Sequence, residues 1–294
     1  MNAIGATVVL EPVQRSPGYW ATVIRRFSRD PLAVGAGIVI LLFILMAIFA
    51  PYIVPHDPYK GMALRRLRPP GSEGYLLGTD ELGRDMLSRL IYGGRLSLFM
   101  GVTPVFIALF FGGIIGVTAG FVGGWINTIL MRIIDVFFAF PSVLLAIALS
   151  GALGAGIANG LISLTVVFIP PIARVAESVT TSVRTRDYVE AARASGASGF
   201  RIVRTQVLSN VAGPIFVYSM SLIAVSMILA SGLSFLGLGV KPPEPEWGLM
   251  LNTLRTAIYS QPVLAALPGL MIFITSIMFN LLTDGLRSAM DIKA

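Results

Sequence analysis

Few residues in this chain have the side chains or spacing for covalent chemistry. Cysteine is absent, and the single histidine, His56, lies in Pro55-His56-Asp57-Pro58. One imidazole without thiolate neighbours makes a poor metal site. A solvated loop histidine is therefore expected, and no metal or cofactor site is assigned. None of the three lysines, Lys60, Lys241 and Lys293, follows a glycine. The Gly-Lys-Ser/Thr run that cradles phosphates is thus missing, so nucleotide hydrolysis is not expected and no catalytic residue is assigned. What remains is a polar island, Arg174 to Asn210, between two long apolar stretches. Within it Asp187-Tyr188-Val189-Glu190 has the spacing of a capping box. Val189, Ala191 and Ala192 give a short, small-faced helix, and Gly196 ends it. Ser198 then caps a second helix, with Phe200, Val203 and Val207 on one side and Arg201 and Arg204 on another. Such a helix–glycine–helix knob presents a rigid face that can enter a groove on a partner. An ordinary solvated loop helix is an equal reading of the spacing alone.

The elements around the island are apolar. The chain has 294 residues, 55% hydrophobic and 13% charged, with a mean hydropathy of +0.81. Soluble domains carry roughly 25% charged residues, so the pattern implies an all-α polytopic membrane bundle. A span needs roughly 20 apolar residues. The uncharged runs predict six transmembrane helices, at about 32–54, 97–122, 127–150, 157–175, 212–236 and 263–284. The first run, Leu32 to Ala50, is 19 residues long, longer than the roughly 7–15 of a cleavable leader. With Pro51 behind it, it reads as an uncleaved anchor. The domain reading is an N-terminal segment 1–31, the anchor 32–54, an outer loop 55–95, a core 96–286 carrying the island at about 176–210, and a tail 287–294. Residues 1–30 read as flexible.

Net charge is +7, but no compact basic cluster with interleaved aromatics points to nucleic acid. The cations fit lipid head groups and topology instead. Six spans place both termini on the side of the island. That side holds thirteen Lys and Arg against nine opposite, seven of those nine in the long first loop. Termini and island are thus expected in the cytoplasm. In the outer loop, Thr79-Asp80 is expected to cap an amphipathic helix with Leu82, Met86, Leu87, Leu90 and Ile91 on one face, Asp85 pairing with Arg89, and Gly93-Gly94 as its stop. It is read as a surface helix, either packing only or docking an external partner. Within the spans, Arg132 and Asp135 are expected to pair with each other. Ser219, Ser221, Ser226, Ser231 and Ser234 read as packing residues before solute contacts. Pro141 and Pro170-Pro171 should kink or loosen the third and fourth helices.

Glu190-Ala191-Ala192 followed after three residues by Gly196 resembles the EAA loop of ABC-transporter permeases. Leu208 matches the end of that pattern, while Ser209 stands where it has Pro. Leu77-Gly78-Thr79-Asp80 with Gly83-Arg84-Asp85 and Ser88-Arg89 is similar to the stretch before the second span in dipeptide/oligopeptide/nickel permeases. So are Ser234 to Val240 with Pro242-Pro243 and Trp247-Gly248, Pro268-Gly269-Leu270, and Phe279 to Leu282 with Asp284 to Arg287. In this order, over about residues 32–292, they look most like the second, C-type permease of such systems. The resemblance implies a type I ABC importer permease in a bacterial inner membrane. It also implies three kinds of partner: a homologous permease, two cytoplasmic ATPases and an extracytoplasmic solute-binding protein. The island would be the ATPase-coupling element. Asp187, Tyr188, Glu190, Ala191, Ala192, Gly196 and Leu208 would form its site, with Glu190 orienting or ion-pairing, the two alanines seated in a groove, and Gly196 as the close-approach point. Dipeptides, longer peptides, nickel chelates and opine-like compounds stay open as cargo. The rival readings are a secondary transporter or channel without an ATPase, which would bury functional charges in its spans, and a membrane scaffold that carries no solute.

Overall fold

The computed structural model describes residues 19–290, which form eleven α-helices and no named strand. Five helices are long and apolar enough to span a bilayer: α2 (Pro31–Ile53), α3 (Met86–Val122), α6 (Ile157–Arg184), α9 (Leu208–Phe235, continuous with a lead-in from Gly199) and α11 (Pro262–Met290). Helices α4 (Gly124–Phe138) and α5 (Ser142–Leu153) meet at an 86° bend. The expected third span is therefore broken, not merely kinked. Pro141 sits at the break, where it can neither donate to the preceding turn nor leave Phe140 in helical geometry. The pair still crosses. Gly123, where α4 begins, lies against the Arg184 guanidinium at one end of α6. Leu153, where α5 ends, is joined by a short turn to Ile157 at the other end. In contrast, α6 runs uninterrupted through Pro170-Pro171.

Six crossings bring both ends of the described chain to one face. Gly285 near the end of α11 packs on Ala33 near the start of α2. There Asp30 caps α2 by accepting from the N–H groups of Leu32 (3.0 Å) and Ala33 (3.1 Å), with Pro31 in the first turn. On the same face α1 (Tyr19–Phe27) packs against α11, so this part of the N-terminal segment is helical rather than flexible. Residues 1–18 and 291–294, which include Arg15 and Lys293, lie outside the described residues.

The opposite face carries a folded cap, and here the expected amphipathic helix is corrected. Helix α3 starts at Met86 with Asp85 as its N-cap, accepting from the Ser88 N–H at 3.0 Å. It continues through Gly93-Gly94 into the membrane because those glycines are packing surfaces. Pro245 and Trp247 fill the space a side chain would take. Thr79 and Asp80 belong to the loop before it. Asp80 is 1% exposed and accepts from Arg84 Nε at 2.6 Å. Arg89 contacts Asp80 at 3.1 Å rather than Asp85 and donates to the Pro58 carbonyl at 2.9 Å. His56 is half-exposed, stacked on Tyr75 and 3.5 Å from Asp85. The cap closes on α10 (Trp247–Thr253). Glu246 accepts from the Gly248 N–H (2.9 Å), the Leu249 N–H (2.8 Å) and the Ser97 hydroxyl (3.1 Å), while the buried Trp247 indole donates to the Leu90 carbonyl at 2.9 Å. Burial holds the Glu246 carboxyl above the usual range, and hydrogen bonds, led by those from the Gly248 and Leu249 amides, partly offset this.

The most intimate contact in the bundle joins α3 and α6. Gly112, Gly116 and Gly120 recur every four residues, on one face of α3. A Cβ at Gly112 would come 2.9 Å from the Ile169 carbonyl, and one at Gly120 2.6 Å from that of Glu177. At Gly116 it would collide with the Ala173 carbonyl and the Ala176 side chain. Lipid tails are as apolar as leucine, so helices in a bilayer associate through this close backbone approach. Replacing Gly116 by Leu should destabilise the purified chain by about 2 kcal/mol or more. Gly113→Ala, which meets nothing within 4 Å, should leave its melting temperature unchanged or raised, as followed by thermal unfolding in detergent.

Candidate functional site

The island folds as a knob between α6 and α9. After Arg184 the chain turns into α7 (Asp187–Ala194), then α8 (Gly199–Ile202), then a π-helical turn, Val203–Val207, that leads into α9. The expected capping box does not form. Arg186, not Asp187, is the N-cap of α7, and no side chain caps it. Asp187 and Glu190 instead sit exposed in the first turn, where their charge complements the helix dipole. The glycine behaves as expected. Gly196 has φ +79°, its N–H bonds to the Arg193 carbonyl (3.0 Å), and the Ala197 N–H bonds to that of Ala192 (3.2 Å). These two bonds are a Schellman C-cap. A Cβ at Gly196 would meet open space within the chain, so the requirement there is conformational. Ser198 caps α8 by accepting from the Arg201 N–H at 3.4 Å.

Burial divides the knob into a root and a working face. Val189 (0%), Ile202 (1%) and Val207 (0%) are buried in the bundle core, and Ala192 packs beside them, half-buried. Asp187, Glu190, Ala191 and Gly196 are exposed. Tyr188 is 41% exposed and Leu208 also 41%. Ala191 thus belongs to the outward face and Ala192 to the root. Ile202 was not anticipated, and Phe200, read as sharing one side with Val203 and Val207, is 77% exposed while Val207 is buried. The reason is the π turn, which adds a residue to the helical count and shifts the buried face. Phe200 lines an apolar groove of ≈ 820 Å³ with Phe121 of α3 and Leu208 and Phe216 of α9. The turn is continuous with α9, so α8 joins a transmembrane helix through unbroken backbone. Ser209 allows this. Its hydroxyl bonds back to the Thr205 carbonyl at 3.1 Å, where a proline would end or kink the helix. On the other flank, the Arg184 guanidinium donates to the carbonyls of Gly120 (3.4 Å) and Phe121 (3.3 Å) at the end of α3, a cation on a helix C-terminus.

A second polar feature departs from expectation. Asp135 does not pair with Arg132 but with Arg174 of α6. The side chains are 45% and 43% exposed. Of the five α9 serines from Ser219 to Ser234, four are buried, and Ser221 is half-buried. The Ser219 hydroxyl bonds back to the Ile215 carbonyl at 2.9 Å, which fits helix packing. Among the described residues no three His, Cys, Asp or Glu side chains converge to hold a metal ion.

Replacing Val189 by Asp buries a carboxylate at the root of the knob, at a cost above about 2 kcal/mol. The expected result is local detachment. Trypsin should cut at the exposed Arg186 and Arg193 at least tenfold faster, with the melting of the bundle nearly unchanged.

Two family models match the sequence. Residues 112–293 match the binding-protein-dependent transport system inner membrane component. Residues 18–70 match the N-terminal transmembrane domain of oligopeptide transport permease C. The chain is 41% identical over 286 residues to the glutathione transport system permease protein GsiD of Pectobacterium atrosepticum, covering 97% of this chain and 94% of that one. It is 38% identical over 298 residues to the di/tripeptide transport system permease protein DppC of Pseudomonas aeruginosa, covering 100% and 98%. The fold is similar to a chain of the MetNI methionine ABC transporter in inward-facing conformations, with a TM-score of 0.52 and 20% identity, over 69% of this chain and 97% of that chain. The knob, the six crossings and these matches over nearly the whole length together make the chain a member of the family of binding-protein-dependent transport system inner membrane components.

Proposed function

We propose that this permease subunit of an ABC importer is one half of a pore that admits short peptides, and that its knob is the lever through which separate ATPases open it. The observation that carries the reading is mechanical. The knob is rooted by Val189, Ile202 and Val207 and runs without a break into α9. A groove on an ATPase that grips Tyr188, Glu190, Ala191 and Gly196 differently before and after ATP binding would tilt α9 and α6 together. ATP can drive the switch only through that difference in grip. The family pattern supports an inner-membrane site, a homologous permease completing the pore, two ATPases, and an extracytoplasmic binding protein delivering cargo to the Glu246–Trp247 cap. The knob and both ends of the chain then face the cytoplasm. Glutathione and di/tripeptide permeases among the relatives favour short peptides over metal chelates. A carrier without an ATPase would need charge buried in its spans, and the half-exposed Asp135–Arg174 pair is the only ion pair among the described residues that joins two spans of the bundle.

Gly196→Asp keeps a residue type tolerated in left-handed backbone but sets a carboxylate on the working face. In proteoliposomes the complex should assemble and hydrolyse ATP while peptide uptake falls at least tenfold. Gly196→Ala, which meets no neighbour and costs about 1–2 kcal/mol of local strain, should lower uptake less. Unchanged uptake in the Asp variant would rule out the lever.

A further inference from the structure

The turn between α3 and α4 has no side chain of its own to hold it. Gly123 and Gly124 form it, at φ +70° and +56°, and glycine is the softest point of a chain. Its position comes from α6. Glu177, Thr181 and Arg184 recur at i, i+4 and i+7 and so share one face of α6. That face lies along the end of α3. A Cβ at Gly120 would come 2.6 Å from the Glu177 carbonyl oxygen and 3.1 Å from the Thr181 nitrogen. The Asn127 amide, in the first turn of α4, donates to Glu177 Oε1 at 2.7 Å and to the Ala119 carbonyl at 3.2 Å. The Thr181 hydroxyl donates to the same Glu177 oxygen at 3.2 Å.

Arg184 closes this joint. A helix leaves its last carbonyls without partners in its own backbone. The Arg184 guanidinium donates to two of those of α3, Gly120 at 3.4 Å and Phe121 at 3.3 Å. It also occupies the place that a side chain on Gly123 would need. Arg184 is the last residue of α6. Arg186, the N-cap of α7, donates its N–H to the Val183 carbonyl at 3.1 Å. Only Thr185 and Arg186 therefore stand between Arg184 and the first helix of the knob.

We propose that Arg184 is a positioning residue of the lever: it holds the α3–α4 turn to the base of the knob, so that α4 follows the knob when the importer switches. The knob leaves through the π turn into α9 and is entered from α6. On the entry side α6 meets α4 and its turn through polar side chains: Arg174 with Asp135, Glu177 with Asn127, and Arg184 at the turn itself. Of these three α6 side chains, Arg184 stands nearest the knob and alone grips backbone. Its planar fork spans both carbonyls in one fixed geometry, so the grip depends on no second side chain. Without it the glycine turn yields, and the knob swings while α4 lags. The inference rests on the lever reading and adds a second arm to it.

The chain has no cysteine, so two thiols placed in it carry spin labels alone once the partner subunits are made cysteine-free. T128C on α4 and R201C on α8 mark the two sides of the joint, and both positions are exposed. In the assembled complex their separation should be the same with and without ATP, and should change with ATP once R184Q is added. In proteoliposomes R184Q should cut tripeptide uptake per ATP hydrolysed about tenfold, the scale of one lost charge-assisted contact, with ATP hydrolysis nearly unchanged. R184K keeps the charge but not the fork and should recover part of the loss. G123A should lower the same ratio by displacing the guanidinium, and should lower it no further in an R184A chain, whereas backbone strain would act in both. A label separation that already changes with ATP in the parent complex, or that stays fixed in R184Q, would overturn the proposal. So would an unchanged uptake ratio in R184Q, or uptake and hydrolysis falling together without rescue by R184K. Unchanged uptake in Gly196→Asp would overturn the lever and this inference with it. A loss in Gly196→Asp beside an indifferent R184Q would overturn this inference alone.

Discussion

Close backbone contact between α3 and α6 is the constraint on which the rest of this bundle depends. In water a helix pair gains by hiding apolar side chains, but in lipid that gain vanishes and contact must come from shape. Gly112, Gly116 and Gly120 remove the side chains that would hold the axes apart. The consequence is geometric. With α6 held against α3, Arg184 reaches the carbonyls at the end of α3, and the start of the knob is fixed relative to the membrane.

The two faces of the molecule are built on different principles. The cap is a network of buried polar groups. Asp80 serves Arg84 and Arg89, and Glu246 serves two backbone amides and Ser97. Networks of this kind fix one arrangement because a half-satisfied member is costly. The knob has a small apolar root, a Schellman turn and an exposed polar face. It holds its own shape yet is attached to the bundle by few side chains, and a π turn joins it to α9.

Between these faces, the break at Pro141 matters more than a kink would. It separates α4, whose Asp135 pairs with Arg174 of α6, from α5, whose end is joined by a short turn to the start of α6.

Much of this protein was decided locally, and that part was legible in the sequence. Uncharged runs of membrane length located all six crossings, because a bilayer core leaves an apolar helix as the simplest solution. Gly196 as a left-handed C-cap and Ser198 as an N-cap depend only on their own backbone, and both were readable. What failed were pairings between elements. Asp85 with Arg89 and Arg132 with Asp135 have good helical spacing, but Asp80 and Arg174 lie closer once the chain folds. Gly93-Gly94 looked like a stop and is a seat for Trp247, because a glycine's meaning depends on what packs against it. The capping box at Asp187 lost to Arg186 as N-cap, and the register of Phe200 was shifted by a π turn that periodicity cannot register. The four-residue glycine repeat on α3 was visible in the sequence, but only its meeting with Ile169, Ala173 and Glu177 gave it a role. Sequence alone determined the lipid-embedded helical class and the chemistry of the island. Tertiary structure decided which charges pair, which glycines approach backbone and which knob residues face outward, because each depends on atoms brought together from distant parts of the chain.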